Sequence, residues 1–107
     1  MEIAFESREL REICEHEAEA KAKLGDPVAA ALKSRLADLD AAMSPSDLVA
    51  GRPRIGEDKE TMVIDLCQGY RIVFAANHPN NPLSERGEVD WRKVSRVRIL
   101  RIERDNA

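Results

Sequence analysis

Two adjacent runs constrain this chain more than anything else in it: Thr61-Met62-Val63-Ile64-Asp65-Leu66-Cys67 and Gly69-Tyr70-Arg71-Ile72-Val73-Phe74. Both alternate, and both lie in the most apolar part of the sequence, which predicts two antiparallel strands joined by a tight turn. The pattern also selects the register. A two-residue loop, Gln68-Gly69, would set Leu66 opposite Arg71 and Asp65 opposite Ile72, mixing charge and apolar side chains on both faces. A three-residue loop, Cys67-Gln68-Gly69, pairs Leu66 with Tyr70, Ile64 with Ile72 and Met62 with Phe74 on one face, and Asp65 with Arg71 on the other. A one-residue slip exchanges the faces of a half-buried strand, so the second register is preferred. It also puts Gly69 where a three-residue hairpin wants a left-handed backbone. The hairpin then has one apolar face and one face centred on Arg71, with Val63 and Val73 beside it.

At 107 residues the chain reads as one domain, 1–107. A domain of that size buries roughly 60–70% of its unfolded surface and needs no staple. Cys14 falls in a predicted helix and Cys67 at a strand end, which gives no disulfide framework and makes a reducing cytoplasm the economical reading. No charged-then-apolar leader or long apolar run is present, so neither a signal peptide nor a membrane span is expected. The net charge of -3 hides an asymmetry: residues 1–50 carry 6 Lys+Arg against 11 Asp+Glu, and residues 51–107 carry 11 against 9. A basic strand half is compatible with a polyanion partner or with ordinary solvated charge.

In chain order, Ile3 and Phe5 alternate with Glu2, Ala4 and Glu6 as a first strand. Ser7 offers an N-cap to a helix running to about Leu24, with Leu10, Ile13, Cys14 and Ala18 as its stripe. Gly25 stops that helix. Asp26-Pro27 starts another, Asp at the N-cap and Pro at the first helical position, with Val28, Leu32, Leu36, Leu39 and Met43 at helical spacing to about Ala42. The two helices form an αα-hairpin. Met43 to Asp47 is a turn or a single helical turn, and Arg52 to Ile55 is a candidate for one further short strand, which Pro53 would place at an edge or make irregular. After Phe74 comes a long loop from Asn77 to Gly87, then one helical turn, Asp90-Trp91-Arg92-Lys93, capped by Asp90. The last run, Ser95 to Arg104, breaks alternation between Ile99 and Leu100. A β-bulge there would bring Val97, Ile99, Leu100 and Ile102 to the core and send Arg98 and Arg101 to the other face. The expected class is α+β: an N-terminal strand, a helical hairpin, then an antiparallel sheet of three to four further strands, β-α-α-β-β-β.

That order, with a Gly-Tyr-Arg-aliphatic-aliphatic-aromatic strand at its centre, resembles the RelE/ParE superfamily of bacterial toxins, and within it the HigB-type plasmid maintenance system killer branch. The matching residues are Gly56-Glu57-Asp58-Lys59, Ile64-Asp65-Leu66, Tyr70-Arg71-Ile72-Val73-Phe74 and Asp90-Trp91-Arg92-Lys93-Val94 with the strand after it. The resemblance spans essentially the whole chain and implies the toxin of a type II toxin-antitoxin system. It implies a HigA-like helix-turn-helix antitoxin as partner and no small-molecule cofactor. HigB-like and RelE-like members are ribosome-dependent mRNA endonucleases, whereas ParE-like members act on DNA gyrase. The alternative to a nuclease is therefore a gyrase-directed toxin, or a degenerate one that only binds its antitoxin.

Cleaving RNA with its own 2′-hydroxyl needs a base, cationic donors around the phosphate and an acid for the leaving oxygen. Arg71 matches the family's strand arginine and is the expected catalytic cation, with an ion pair to Asp65 as its plain alternative. Arg101 and Arg104 are the further catalytic candidates. Arg54, Lys59, Arg98, Arg92 and Lys93 are candidates for the RNA backbone, each with exposed charge as the alternative. The lysines that RelE-like sites carry on the first hairpin strand are replaced by Val63 and Asp65. The Tyr or His that often ends the branch is absent from Glu103-Arg104-Asp105-Asn106-Ala107. His78, in the long loop, is either an acid/base that swings over the site or a loop histidine. Trp91 and Tyr70 are base-stacking candidates or core and rim residues. No metal site is expected: Cys14-Glu15-His16 lacks the i, i+4 spacing that puts two ligands on one helix face.

Overall fold

The computed structural model describes residues 1–105, so Asn106 and Ala107 of the expected C-terminal run lie outside the described residues. Five strands form one sheet: β1 (Glu2–Phe5), β2 (Arg54–Ile55), β3 (Thr61–Asp65), β4 (Tyr70–Ala76) and β5 (Arg96–Arg104), in the spatial order β1-β5-β4-β3-β2. The sheet is mixed, because β1 runs parallel to β5 while the other pairs are antiparallel. The fold is α+β, with the expected order of strand, helices and strands.

The central hairpin has the register its pattern demands. Asp65 faces Arg71, Val63 faces Val73, Ile64 faces Ile72 and Met62 faces Phe74. Leu66 N–H donates to the Tyr70 carbonyl and Tyr70 N–H to the Cys67 carbonyl, closing the three-residue loop with Gly69 at φ 80. The register shift between β4 and β5 falls where the broken alternation places it: Val73 pairs with Arg101 and Phe74 with Ile99, leaving Leu100 as the extra residue. Val97 and Ile99 are fully buried, Ile102 packs half-buried against the core, and Arg98 and Arg101 are exposed on the other face; Leu100, expected in the core with them, is half-buried outside the core cluster, because it is the unpaired residue of the bulge.

Three helices cover one face of the sheet, where the structure departs from a simple helical hairpin. The helix expected to run unbroken to Leu24 is two helices, α1 (Arg8–Glu15) and α2 (Glu17–Leu24), divided at His16, whose backbone is extended. Ser7 caps α1 through a bond from Leu10 N–H. Because the chain resets at His16, Ala20 is buried where the continuous stripe would have used Ala18, which is exposed. The third helix, α3 (Asp26–Ala41), begins one residue earlier than expected: Gly25, at φ 85, holds the cap position and Asp26 is the first helical residue. Val28, Ala29, Leu32 and Leu39 bury its inner face, while Met43 lies beyond its end and is 84% exposed. The Met1 ammonium donates to the carbonyls of Leu39, Asp40 and Ala42, filling acceptors that a helix end leaves open.

The core joins Leu32 and Leu39 of α3 to Met62, Ile64, Ile72, Phe74, Val97 and Ile99 of the sheet. Phe74 is fully buried and meets Trp91 edge to face, ring centroids 6.2 Å apart. Asp90 caps the single 3-10 turn Trp91–Lys93 by accepting from Arg92 N–H, so Trp91 is a core-rim residue, packed rather than presented. No helix among the described residues is long and apolar enough to cross a membrane. Phe74→Ala is expected to lower unfolding free energy by about 3–5 kcal/mol, the cost of truncating a fully buried phenylalanine that cannot be refilled. Urea unfolding at neutral pH measures it, and a loss under about 1 kcal/mol would mean that Phe74 is not central to the packing.

Candidate functional site

The sheet face opposite the helices carries the charge. Two adjacent rows cross it: Arg54, Val63, Val73 and Arg101 in one, and Asp65, Arg71 and Glu103 in the next. The bulge at Leu100 aligns these rows, because without it either the arginines or the isoleucines of β5 would face the wrong way. A shallow pocket of about 250 Å³ opens here, lined by Arg54, Arg71 and Arg101 with Glu57, Asp58 and Glu103, and with Val63 and Val73 between them. Both valines are buried, 8% and 1% exposed, and both lie outside the main core cluster. Arginine stems and the loop 56–60 lie over this face, as amphipathic side chains do over apolar surface. Thr61 ties that loop down, its hydroxyl donating to the Asp58 carbonyl at 2.6 Å.

Arginine-carboxylate contacts order the face. Asp65 accepts from Arg52 Nε at 2.8 Å and from Arg54 Nη2 at 3.0 Å. Glu103 accepts from Arg71 Nε at 2.9 Å and from Arg101 Nε at 3.2 Å. The alternative of an Asp65–Arg71 ion pair is not realised: the two residues are register partners, but each ion-pairs elsewhere. Asp65 is claimed by Arg52 and Arg54, brought in by the chain before β2. Gly51 and Arg52, at φ 83 and 49, turn that chain inward, and the Gly51 carbonyl accepts from Asp65 N–H at 2.7 Å. A Cβ at Gly51 would run into the Ile64 side chain and the Asp65 carbonyl.

These contacts move the carboxyl groups the same way. For Asp65, partial burial pushes the value up, but hydrogen bonds from Arg54 and Arg52 and their charges outweigh it, so the group sits below its ordinary value. Burial likewise opposes and the Arg71 and Arg101 hydrogen bonds prevail at Glu103, which is also lowered. Arg71 is raised, chiefly by its bond to Glu103. A carboxylate held this way is a weak proton acceptor, so Glu103 suits a lasting ion pair with the two arginines better than general-base work.

The remaining candidate residues are dispersed. Arg104 is the last residue of β5, opposite Tyr70, and its guanidinium lies 5.5 Å from that ring's centroid; it does not line the pocket. Arg98 shares the outer face but reaches Glu6 at 3.5 Å, toward the β1 edge. Arg92 and Lys93 stand by Asp90 at 3.5 and 4.0 Å. Lys59 is exposed in the loop whose residues Glu57 and Asp58 line the pocket. His78 is not poised over Arg71: its Nε2 accepts from Ser95 N–H at 3.1 Å, beyond the far end of β4, about 20 Å along the strand. Burial, and then Glu15, push the Cys14 thiol up to about 12, which keeps it protonated and unreactive. Sequence reasoning missed Glu103 and Arg52. Glu103 was recoverable in principle, since alternation after the bulge puts it on the Arg101 face.

No family model, curated protein or solved structure matches this chain.

The depressed carboxyls predict acid sensitivity of a definite sign. The unfolded chain takes up their protons at higher pH than the folded one, so their contribution is complete above the ordinary carboxylate range of about pH 4 and is lost as pH falls through the folded values. The urea midpoint is expected to drop below about pH 4, and to drop less in Asp65→Asn and Glu103→Gln, which have no proton to take up there. Equal acid sensitivity in all three proteins would place the titrating groups elsewhere.

Proposed function

We propose that this chain is the toxin of a type II toxin-antitoxin system, of the RelE/HigB kind, and that it cuts mRNA on the ribosome. One observation carries the reading: Arg54, Arg71 and Arg101, from three different strands, meet at a single open pocket on the sheet face that the helices leave free. A scissile phosphate there would find several guanidinium groups gathered on one face, the arrangement that electrostatic stabilisation of developing negative charge requires. Arg71 contacts the phosphate, Arg101 and Arg54 flank it, and the ribosome holds the message in register. Lys59, in the loop whose neighbours line the pocket, adds charge at its edge, while Arg104 with Tyr70, Arg98, Arg92 and Lys93 stand away from the pocket and have no part in the proposed phosphate contact. The observed strand-helix-strand order is the one the resemblance implies, and the cytoplasm is where such a target lies. A HigA-like antitoxin acts by covering the arginine face, which blocks a polyanion by masking charge.

A second reading has its own observation. The pocket lining holds neither lysine nor histidine, and its three arginines are matched by three carboxylates. A binding module, either gyrase-directed or a degenerate toxin that only engages its antitoxin, would tolerate both features.

Inducible expression in a bacterial host, with primer extension on a reporter mRNA, separates the readings. Growth arrest with cuts that require translation, lost in Arg71→Ala while its circular dichroism stays that of the wild type, is the expected result. Removing such a cation is expected to lower cleavage by about 10²- to 10³-fold. Arrest without cuts would transfer the proposal to a protein target, and an Arg71→Ala protein as toxic as the wild type would overturn the mRNA mechanism.

A further inference from the structure

We infer that Glu103 sets the affinity of the arginine pocket, acting as an internal anion that a phosphate group must displace from Arg71 and Arg101; this rests on reading the pocket as a phosphate site. Both carboxylate oxygens are in use, Oε1 on Arg71 at 2.9 Å and Oε2 on Arg101 at 3.2 Å, so one side chain bridges two neighbouring guanidinium groups across two strands. That is the arrangement an external oxyanion would adopt. The bridge is neither deep nor rigid: the Arg71 and Glu103 side chains are 34% and 32% exposed. Each contact uses one N–H of a guanidinium that carries five, so the arginines keep their capacity for a second anion.

Strand pairing and the underlying Val73, not Glu103, fix where the arginine stems leave the sheet, because Arg71 and Arg101 occupy successive rows of the same face. Removing the Glu103 charge therefore leaves the cations in place and unmatched. The pocket's three arginines against Glu57, Asp58 and Glu103 become three against two. A positioning role predicts the reverse: without its carboxylate the guanidinium groups splay and anion binding weakens. The two roles differ in sign, which makes them separable.

The test is binding of a short fluorescein-labelled single-stranded RNA to the full chain, followed by anisotropy over a range of salt concentrations. Glu103→Gln is expected to bind about five- to tenfold tighter than the wild type at low salt, the scale of one unit charge removed a few Å from a phosphate where screening approaches that of water, as at this partly exposed side chain. Its affinity should also fall more steeply with salt, since one more uncompensated cation meets the backbone. Glu103→Ala serves as a second neutral variant should the amide disturb the sheet. Glu103→Asp, which keeps the charge, should stay close to wild type. Glu9→Gln, at an exposed position of α1 on the helix side of the sheet, changes net charge equally but touches no pocket arginine, and it should gain clearly less. Equal or weaker binding by both neutral variants would overturn the inference, as would a Glu9→Gln gain as large as that of Glu103→Gln. Arg71→Ala separates the levels: if it loses affinity while Glu103→Gln gains none, the phosphate site stands and the role of Glu103 fails. If Arg71→Ala binds like wild type, both fail.

Discussion

The register of the hairpin at Cys67-Gln68-Gly69 is the constraint on which the rest depends. With the three-residue loop in place, every apolar residue of β3 and β4 that can reach the helices does so, and Asp65 and Arg71 come to the opposite face in one row. Shifting by one residue would bury a carboxylate and a guanidinium under α3, at a desolvation cost of several kcal/mol per charge. The turn is held by two backbone hydrogen bonds and by left-handed backbone at Gln68 and Gly69. From that register follow the partner rows on β2 and β5, and from those rows the pocket.

The second constraint is the bulge at Leu100. Strand β5 serves two neighbours, antiparallel β4 and parallel β1, and must bury Val97 and Ile99 against the core while presenting Arg98 and Arg101 outward. A regular strand of this sequence cannot do both, and one unpaired residue resolves the conflict. The arginine face is therefore produced by backbone irregularity as much as by composition. Individually its ion pairs are of the partly exposed kind that contributes little to stability. Their consequence is order: two arginines are drawn to Asp65 on β3 and two to Glu103 on β5, with β4 between them, in place of long side chains sampling solvent.

Where the sequence was informative, periodicity and turn chemistry made it so. The hairpin register, the bulge, the edge strand around Arg54-Ile55 and the Asp90 cap all follow from patterns with period 2 or from residues with one strong local preference. The break at His16 does not, since no glycine or proline stands there and the flanking residues Glu15, Glu17 and Ala18 are compatible with continuous helix. Tertiary packing of α1 and α2 on different parts of the core decides it. The ion-pair partner of Arg71 is not legible in the sequence for a related reason. Opposite positions in a register identify neighbours, but the choice among neighbouring carboxylates depends on what else competes, and Arg52 reaches Asp65 only because Gly51 lets the chain fold back. Arg104 belonged with the site by proximity in sequence alone; parity along β5 puts it on the Tyr70 side.

Arginine side-chain NMR tests most directly whether Arg54, Arg71 and Arg101 act as one anion-binding unit. Titrating the labelled protein with single-stranded RNA while following the Nε–Hε resonances should perturb Arg71, Arg101 and Arg54 first and together. Arg8 and Arg11 on α1 and Arg92 at the 3-10 turn should remain unmoved until high RNA. Perturbations that begin at Arg92, Arg96 or Arg98, with the pocket arginines unchanged, would contradict such a unit.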